Sequence, residues 1–540
     1  MKPATERVDI KREDLERLLE HARPALTEVE YQQLKAALDT LVVLTRLLEH
    51  KSTTIARLRQ ILFGASTEKT ATVLKSLVAG TTTPAGDGAN PPPGAEDAAS
   101  PPRAGHGRNG AKDYPGAVTI AVPHPDLSAG ERCPECRRGK LYAFTPAGTL
   151  LRVTGQAPLA ATVYELQKLR CNLCLDLFTA PPPAGCGTEK YDAGAASMIA
   201  LLKYGSGVPF YRLSGLQDSL GVPLPAATQW EIVEQTATVV KPAFEELIRQ
   251  AAQGEVVHND DTTMTILSHQ QDAKGEDATP SSARKGVFTS GIVSLCGEHA
   301  IALFFTGRQH AGENLAAVLA QRAADLGPPI QMADALSRNF VGPLKTIVAN
   351  CLAHSRRKYV EVAPHFPEEC RVVLDLLAQV YQHDAWCKEQ HLSAEERLRW
   401  HQTHSQPLMT TLETWLAAQF AEHKVEPNSG LGEAIKYMRK HWPELTLFLR
   451  HAGAPLDNNV CEQILKRAIL HRKNSLFFKT DKGAQVGDAF MSLIHTCDLA
   501  GANPFDYLSA LQTHAAALAR NPQQWLPWNY RQQLVPPDSS

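Results

Sequence analysis

Between about residues 80 and 115 the chain reads TTTPAGDGANPPPGAEDAASPPRAGHGRNGAK, with consecutive prolines at Pro91, Pro92 and Pro93. A segment this poor in large apolar side chains cannot bury a core, and its prolines stiffen it into a semi-extended tether. What lies on either side must therefore find its core separately. The expected organisation is a tail (1–25), a helical segment (26–66), this linker (67–115) and then the folded bulk of the 540-residue chain.

Upstream of the linker, residues 26–63 contain no proline or glycine, and Leu34, Leu41, Leu48, Ile55 and Leu62 recur every seventh position. Ala37, Leu44, Lys51 and Leu58 follow three positions later, which predicts a coiled coil and hence a homo-oligomer. The alternative is one amphipathic helix packed on its own domain. Lys and Arg number 55 against 57 Asp and Glu, so any nucleic-acid binding must rest on local basic patches. No apolar run approaches the ~18 residues of a membrane span, and the first thirty residues alternate charges, which predicts a cytoplasmic protein without membrane attachment.

The 11 cysteines are odd in number and mostly scattered, which disfavours a disulfide framework. Two pairs stand apart: Cys133-Pro-Glu-Cys136 and Cys171-Asn-Leu-Cys174. Each CxxC turn presents two sulfurs from one tight loop, and two such turns complete a tetrahedral Zn2+ site. The gap between them exceeds the usual ribbon spacing of about 15 to 20 residues, so an inserted hairpin is expected within a zinc-ribbon-like module over 116–190. A redox dithiol is the alternative, and Cys186 stands outside the pattern.

Over 191–250 helical periodicity returns. Phe210–Leu220, the turn GVPLP and Ala226–Gln235 have the outline of a helix-turn-helix, with Thr228, Gln229 and Glu231 facing DNA, or else of a plain structural hairpin. After residue 254 the pattern switches to strands (EVVHNDDTTMTIL, RKGVFTSGIVSLC, HAIALFFTG), then a helix, then PIQMADAL. That order predicts a mixed sheet flanked by helices. Asp260 and Asp334 each sit at the end of such a strand, where rigid backbone can hold a carboxylate toward a hard cation. A third acid, Glu462, falls one turn into a helix that Asp457 or Asn458 can cap, followed by Lys466, Arg467, Arg472 and Lys473. A helical insertion (366–445) separates two parts of the core (251–365 and 446–500), and a segment of 501–540 closes the chain.

Several blocks in this order carry a resemblance: LRQILFGASTEK, GHGRNG, VPFYRLSGLQDSLGVPLPAAT, VHNDDT, ADA around Asp334, NCLAHSRRKYVEV, LDNNVCEQILKRAILHRKNSLF and WLPWNY. Together they resemble the Insertion Sequence 66 family of bacterial transposases over nearly the whole chain. The resemblance implies a multidomain α+β protein with a ribonuclease-H-like α/β catalytic core, in which Asp260, Asp334 and Glu462 match a DDE triad. It further implies Mg2+ or Mn2+ as cofactor, cleavage and strand transfer of DNA, and as partners the element's terminal repeats, target DNA and accessory proteins of the same element. Two ions about 3.5–4 Å apart are the expected arrangement for such phosphoryl transfer. Arg356, Arg357 and Lys358 are the expected DNA contacts beside His354, with Lys466, Arg467, Arg472 and Lys473 on the later helix. His354 either lines the catalytic face or packs beneath it.

Two positions depart from the family. Asp261 stands where the family usually has Glu, leaving a rival to Asp260; alternation along a strand puts the two acids on opposite faces. His471 stands where the family usually has Gly, which bears on the local contact to substrate. The competing functional classes are a zinc-containing DNA-binding protein with an inactive core and a metal-dependent nuclease without strand transfer.

Overall fold

The computed structural model of the chain describes residues 31, 120–122, 125–142, 156–170, 177–272, 286–342 and 345–534. Apart from Tyr31, the coiled coil and tether expected over 26–115 lie outside the described residues, as do Cys171 and Cys174. The chain divides into two units. One comprises Met1–Thr83 and Tyr359–Gln379, and in the latter stretch Tyr359, Ala363, Cys370, Val373, Leu374 and Leu377 are buried. The other comprises Pro84–Lys358 and Val380–Ser540 and holds the sheets described below.

A small antiparallel pair, β1 (Lys168–Arg170) and β2 (Leu177–Thr179), brackets the position of the second cysteine pair. The main sheet has five strands: β3 (Val256–Met264), β4 (Val287–Cys296), β5 (His299–Gly307), β6 (Ile330–Ala333) and β7 (Ile347–Asn350). Their order is β5-β4-β3-β6-β7. β4 and β5 are rich in β-branched and aromatic residues and join through Gly297, whose φ of 56° suits the tight hairpin turn. β3 is antiparallel to β4 but parallel to β6, which is parallel to β7. This mixed sheet with helices on both faces is compatible with a ribonuclease-H-like core.

The helices used below are α1 (Ala193–Ala200), α2 (Phe210–Ser219), α3 (Ala226–Ala251), α4 (Ala311–Leu319), α5 (Leu352–Val362), α6 (Pro367–Glu389), α7 (Ala394–His404), α8 (Gln406–Ala421), α9 (Gly430–Lys440), α10 (Asn459–Ser475) and α11 (Asp481–Ala500). Helices α6 to α9 fill the stretch between the last strand and α10, where a helical insertion is expected. One core includes Ile199 of α1, Leu213 of α2, Val240 and Leu247 of α3, Leu303 of β5 and Phe490 of α11. The helices of 191–250 therefore share the sheet's core rather than forming a module apart. Within them Gln229 is fully buried, its amide donating to the carbonyls of Phe210 at 3.0 Å and Leu224 at 2.9 Å. It clamps the turn between α2 and α3, which corrects its expected role as a residue facing DNA. Glu231 is exposed.

The outer strand β5 has an edge that would otherwise present unpaired N–H groups. α11 lies along it. Asp488 accepts from the Thr306 N–H at 2.6 Å, Ser492 from Phe304 at 2.9 Å and Thr496 from Ala302 at 3.1 Å. Four helical residues rise ~6.0 Å and two strand residues ~6.8 Å, so polar side chains one turn apart meet alternate amides in step.

Candidate active site

Along β3 the register decides which acid faces which helix. Asp260 stands opposite Gly291 and Asp261 opposite Ser290 on β4, and cross-strand partners project to the same side. The Gly291 side faces α10: a Cβ at Gly291 would come within 2.9 Å of Leu465, so glycine lets α10 approach the sheet. The Ser290 side faces α4, where Asn314 donates to the Ser290 hydroxyl at 2.8 Å. Asp260 thus looks toward the helix bearing Glu462. Asp261 looks away, its side chain 1% exposed and held by His310 at 2.9 Å and Arg338 at 3.2 Å.

Asp334 follows β6 directly, and because β6 runs parallel to β3 with Met332 beside His258, it emerges level with Asp260, which lies midway along β3 rather than at the strand end expected from sequence. One amide bridges the two carboxylates. Asn339 Nδ2 donates to Asp334 Oδ1 at 2.5 Å and to Asp260 Oδ1 at 3.3 Å. Its backbone carbonyl in turn accepts from Asn259 and Gln331, each at 2.7 Å, so this fully buried residue is fixed from behind. Burial pushes the Asp260 carboxyl up to about 6, with repulsion from Asp334 and Asp261 adding to it. Two carboxylates held close at a cost in self-repulsion are a natural seat for a divalent cation.

α10 is tied to β3 at its start by Asn458. The Asn458 side chain accepts from His258 Nδ1 at 3.0 Å and donates to the Asn259 carbonyl at 3.1 Å, while its backbone N–H points to Cys351 Sγ at 3.2 Å. It stands at the N-cap position without capping the helix, because its amide is used across the chain. Burial lowers the His258 imidazole to about 4, so it stays neutral and serves as a strut. Glu462 sits in the first turn of α10, half-buried, with its Oε1 unpartnered. His354 Nε2 approaches that oxygen to 3.6 Å, too long for a hydrogen bond. Ligand atoms of Cys351, His354 and Glu462 lie within 4.8 Å of one another, a grouping that could hold a metal ion, although burial pushes the Cys351 thiol up, away from the thiolate a metal binds.

The structure therefore brings Asp260 and Asp334 together through Asn339, and binds the start of the Glu462 helix to the strand bearing Asp260. The sequence profile described as Transposase IS66 family matches residues 189–486, more than half of the chain. The chain belongs to the IS66 family of transposases. It is 33% identical over 193 residues to uncharacterized protein y4jD of Sinorhizobium fredii, a match covering 35% of this chain and only 37% of that protein. Uncharacterized protein y4hP of the same organism is 25% identical over 411 residues, covering 71% of this chain and 70% of its own length. Membership of this transposase family implies DNA binding and use of a divalent metal. Among the described residues no helix is long and apolar enough to cross a membrane.

In this IS66-family chain the basic residues expected to touch DNA differ in exposure. Lys466, Arg467 and Lys473 are exposed on α10, and Lys358 is half-buried with its ammonium 4.4 Å from the Tyr437 ring centre. Arg357 is half-buried. Arg472 hydrogen-bonds Thr262 and Thr263 at the end of β3, a bond that pins α10 to the sheet. Arg356 departs from expectation: it is 7% exposed, and so enclosed a guanidinium has little surface to offer a phosphate.

His471 does not reach the surface. It is 1% exposed, stacked on Phe478 at 4.9 Å, and neither ring nitrogen has a partner. Burial, aided by Lys203, lowers it to about 3. The departure from the usual family glycine is thus a change of packing rather than of substrate contact. His471→Phe keeps the stacking and removes two unsatisfied nitrogens, so thermal unfolding should show a gain of about 1 kcal/mol. A lower melting temperature would mean that the site has no room for the larger ring.

The first cysteine turn is held by backbone bonds: Cys133 N–H to the Gly139 carbonyl at 2.8 Å and Arg137 N–H to the Cys133 carbonyl at 2.9 Å. The Gly139 N–H also donates to Cys136 Sγ at 3.4 Å. That bond, with those from Arg138 and Cys133, holds the Cys136 thiol below its ordinary range, favouring the thiolate a metal requires. Sequence reasoning missed Asn339, His310 and Arg338. Their roles depend on contacts across the sheet, and nothing in local spacing marks them.

Proposed function

We propose that this chain is a DDE transposase that cuts and joins DNA at a divalent-metal centre formed by Asp260, Asp334 and Glu462. The observation that carries it is the Asn339 amide bridging the Asp260 and Asp334 carboxylates beside the strand to which the start of α10 is tied. The donor set is all hard oxygen, two groups repel one another, and Glu462 has an unpartnered oxygen, so the residues fit Mg2+ or Mn2+. When bound, such ions supply Lewis-acid stabilisation of the phosphoryl centre and favour an oxygen nucleophile. Asn339 keeps the two aspartates in register, Asn458 sets the position of Glu462, and His354 stands beside it. Lys358, Lys466, Arg467 and Lys473 bind the phosphate backbone, with Arg357 and Arg472 beside them. Terminal repeats, target DNA, a second copy of the chain and accessory proteins of the element are the partners of this reading.

The test is cleavage of duplex DNA carrying the element's own ends, with Mg2+ or Mn2+ against a chelator. Metal-dependent nicking followed by joining supports the proposal. Binding without cleavage would instead favour a DNA-binding protein with an inactive core, and cleavage without joining a nuclease.

Asp261→Ala serves as the control for the adjacent acid. It should retain cleavage while losing about 1 kcal/mol of stability, because His310 and Arg338 lose the carboxylate that pairs them but still reach solvent. Loss of cleavage in a folded Asp261→Ala protein would shift the metal site to the other face of β3.

We further propose that Cys133, Cys136, Cys171 and Cys174 hold one Zn2+. Elemental analysis should find zinc retained in Cys186→Ser and lost in Cys133→Ser with Cys171→Ser; zinc undiminished in that double variant would exclude the site.

A further inference from the structure

Past Glu462, α10 buries one face through Cys461, Ile464, Leu465, Ala468 and His471. Its exposed face carries Gln463, Lys466, Arg467, Leu470 and Lys473, a stripe of neighbours three and four residues apart with no acid after Glu462. The helix then ends in an unusual way. Leu476 adopts φ 67° and ψ −43°, and the Phe477 N–H donates back to the Ser475 carbonyl at 2.8 Å, which closes a γ-turn of the rare positive-φ kind. Leucine is strained there, and such strain persists only where the surroundings impose it.

The surroundings do. The Leu476 N–H bonds the Arg472 carbonyl at 2.8 Å, and the Phe478 N–H bonds the Thr265 carbonyl at 2.9 Å, extending the line of β3. Arg472 ties the last turn of α10 to Thr262 and Thr263. A rigidly held turn thus presents two apolar side chains outward, Leu476 at 65% and Phe477 at 36% exposure. Neither supports the core, and both stand at the end of a positively charged stripe that begins beside the candidate catalytic glutamate.

We propose that Leu476 and Phe477 form an apolar wedge that enters the base stack of the bound DNA end, while Lys466, Arg467 and Lys473 seat its backbone. The three cations of the stripe, with no acid among them, select phosphate as the partner, and Leu and Phe are side chains that part base steps. At ~1.5 Å per helical residue the turn lies ~21 Å beyond Glu462, about six base steps of 3.4 Å from the phosphate being cut. The proposal deepens the transposase reading and rests on it.

The experiment uses the full chain with duplex DNA of the element's end, in which a fluorescent adenine analogue is walked along both strands. Ca2+ replaces Mg2+ so that DNA is bound but uncut. Emission should rise at one position about six base pairs from the cleaved phosphate and stay low elsewhere. Leu476→Gly with Phe477→Ala should abolish the rise and lower Mg2+-dependent cleavage by roughly tenfold to a hundredfold, the scale of a lost base contact. Glycine tolerates the positive φ, so the variant's melting temperature should not fall. Wild-type protein that binds and cuts the ends without any rise overturns the wedge, as does a double variant that keeps the rise. Wild-type protein that neither binds nor cuts overturns the transposase reading itself, and the wedge with it.

Discussion

Asp260→Ala, Asp334→Ala and Glu462→Ala are each expected to lower metal-dependent cleavage by about 10³-fold or more, the scale of losing one electrostatic element at a reacting centre. The three acids come from the middle of β3, the residue after β6 and the first turn of α10, so they have no local reason to act together unless they share cations. Binding to DNA ends should persist, because affinity rests mainly on phosphate contacts from Lys and Arg elsewhere. Asn339→Ala offers a graded comparison. It removes no candidate metal ligand but frees both aspartates to move, so cleavage should fall by about 10²-fold with DNA binding unchanged. Triad variants that cut at wild-type rates in a chelator-sensitive assay would remove the proposed mechanism, and an Asn339→Ala protein that cuts normally would leave the bridge without a catalytic role.

Stability should fall as pH rises from about 4 toward 7 because of Asp488. This carboxyl is buried against the edge of β5, bonded to the Thr306 N–H at 2.6 Å and hydroxyl at 2.7 Å, and burial pushes it from 3.8 up to about 7. Its value in the fold lies above its value in the unfolded chain, so the fold binds the proton more tightly. The stabilisation is fully present below pH ~4, declines between ~4 and ~7, and is absent above that range. At 1.36 kcal/mol per pKa unit the difference is on the order of 4 kcal/mol. Asp488→Asn keeps an acceptor for the Thr306 N–H and turns its amide N–H toward the hydroxyl, which then accepts, without the charge. Its unfolding free energy should exceed that of the wild type at pH 8 and converge with it near pH 4. Parallel pH profiles for the two proteins would show that Asp488 is ionised in the fold at little cost.

Period and composition were enough to place the strands that become β3, β4 and β5, the helices of 366–445, and Asp334 at a strand end, whereas Asp260 lies midway along β3 because that strand runs on to Met264. These depend on the local alternation of apolar residues and on which residue types suit each pleated or helical turn. That Asp260 and Asp261 face opposite sides of the sheet was likewise legible, because a strand's side chains alternate whatever packs on it. The register against Gly291 and Ser290 then decided which face meets α10 and which meets α4. Other features were beyond local pattern. The Pro-Leu-Pro turn before Ala226 has the outline of a DNA-reading hairpin, yet Gln229 is buried there, since α3 runs on to Ala251 and packs into the sheet's core. His471 reads as a surface departure from the family and is instead part of an aromatic stack. Asn339 looks like an ordinary loop asparagine and Asn458 like a helix cap. Only the parallel pairing of β3 with β6 and the approach of α10 turn one into a bridge between carboxylates and the other into the tie that positions Glu462. Backbone periodicity is written residue by residue, whereas hydrogen bonds between segments two hundred residues apart exist only once the chain has closed on itself.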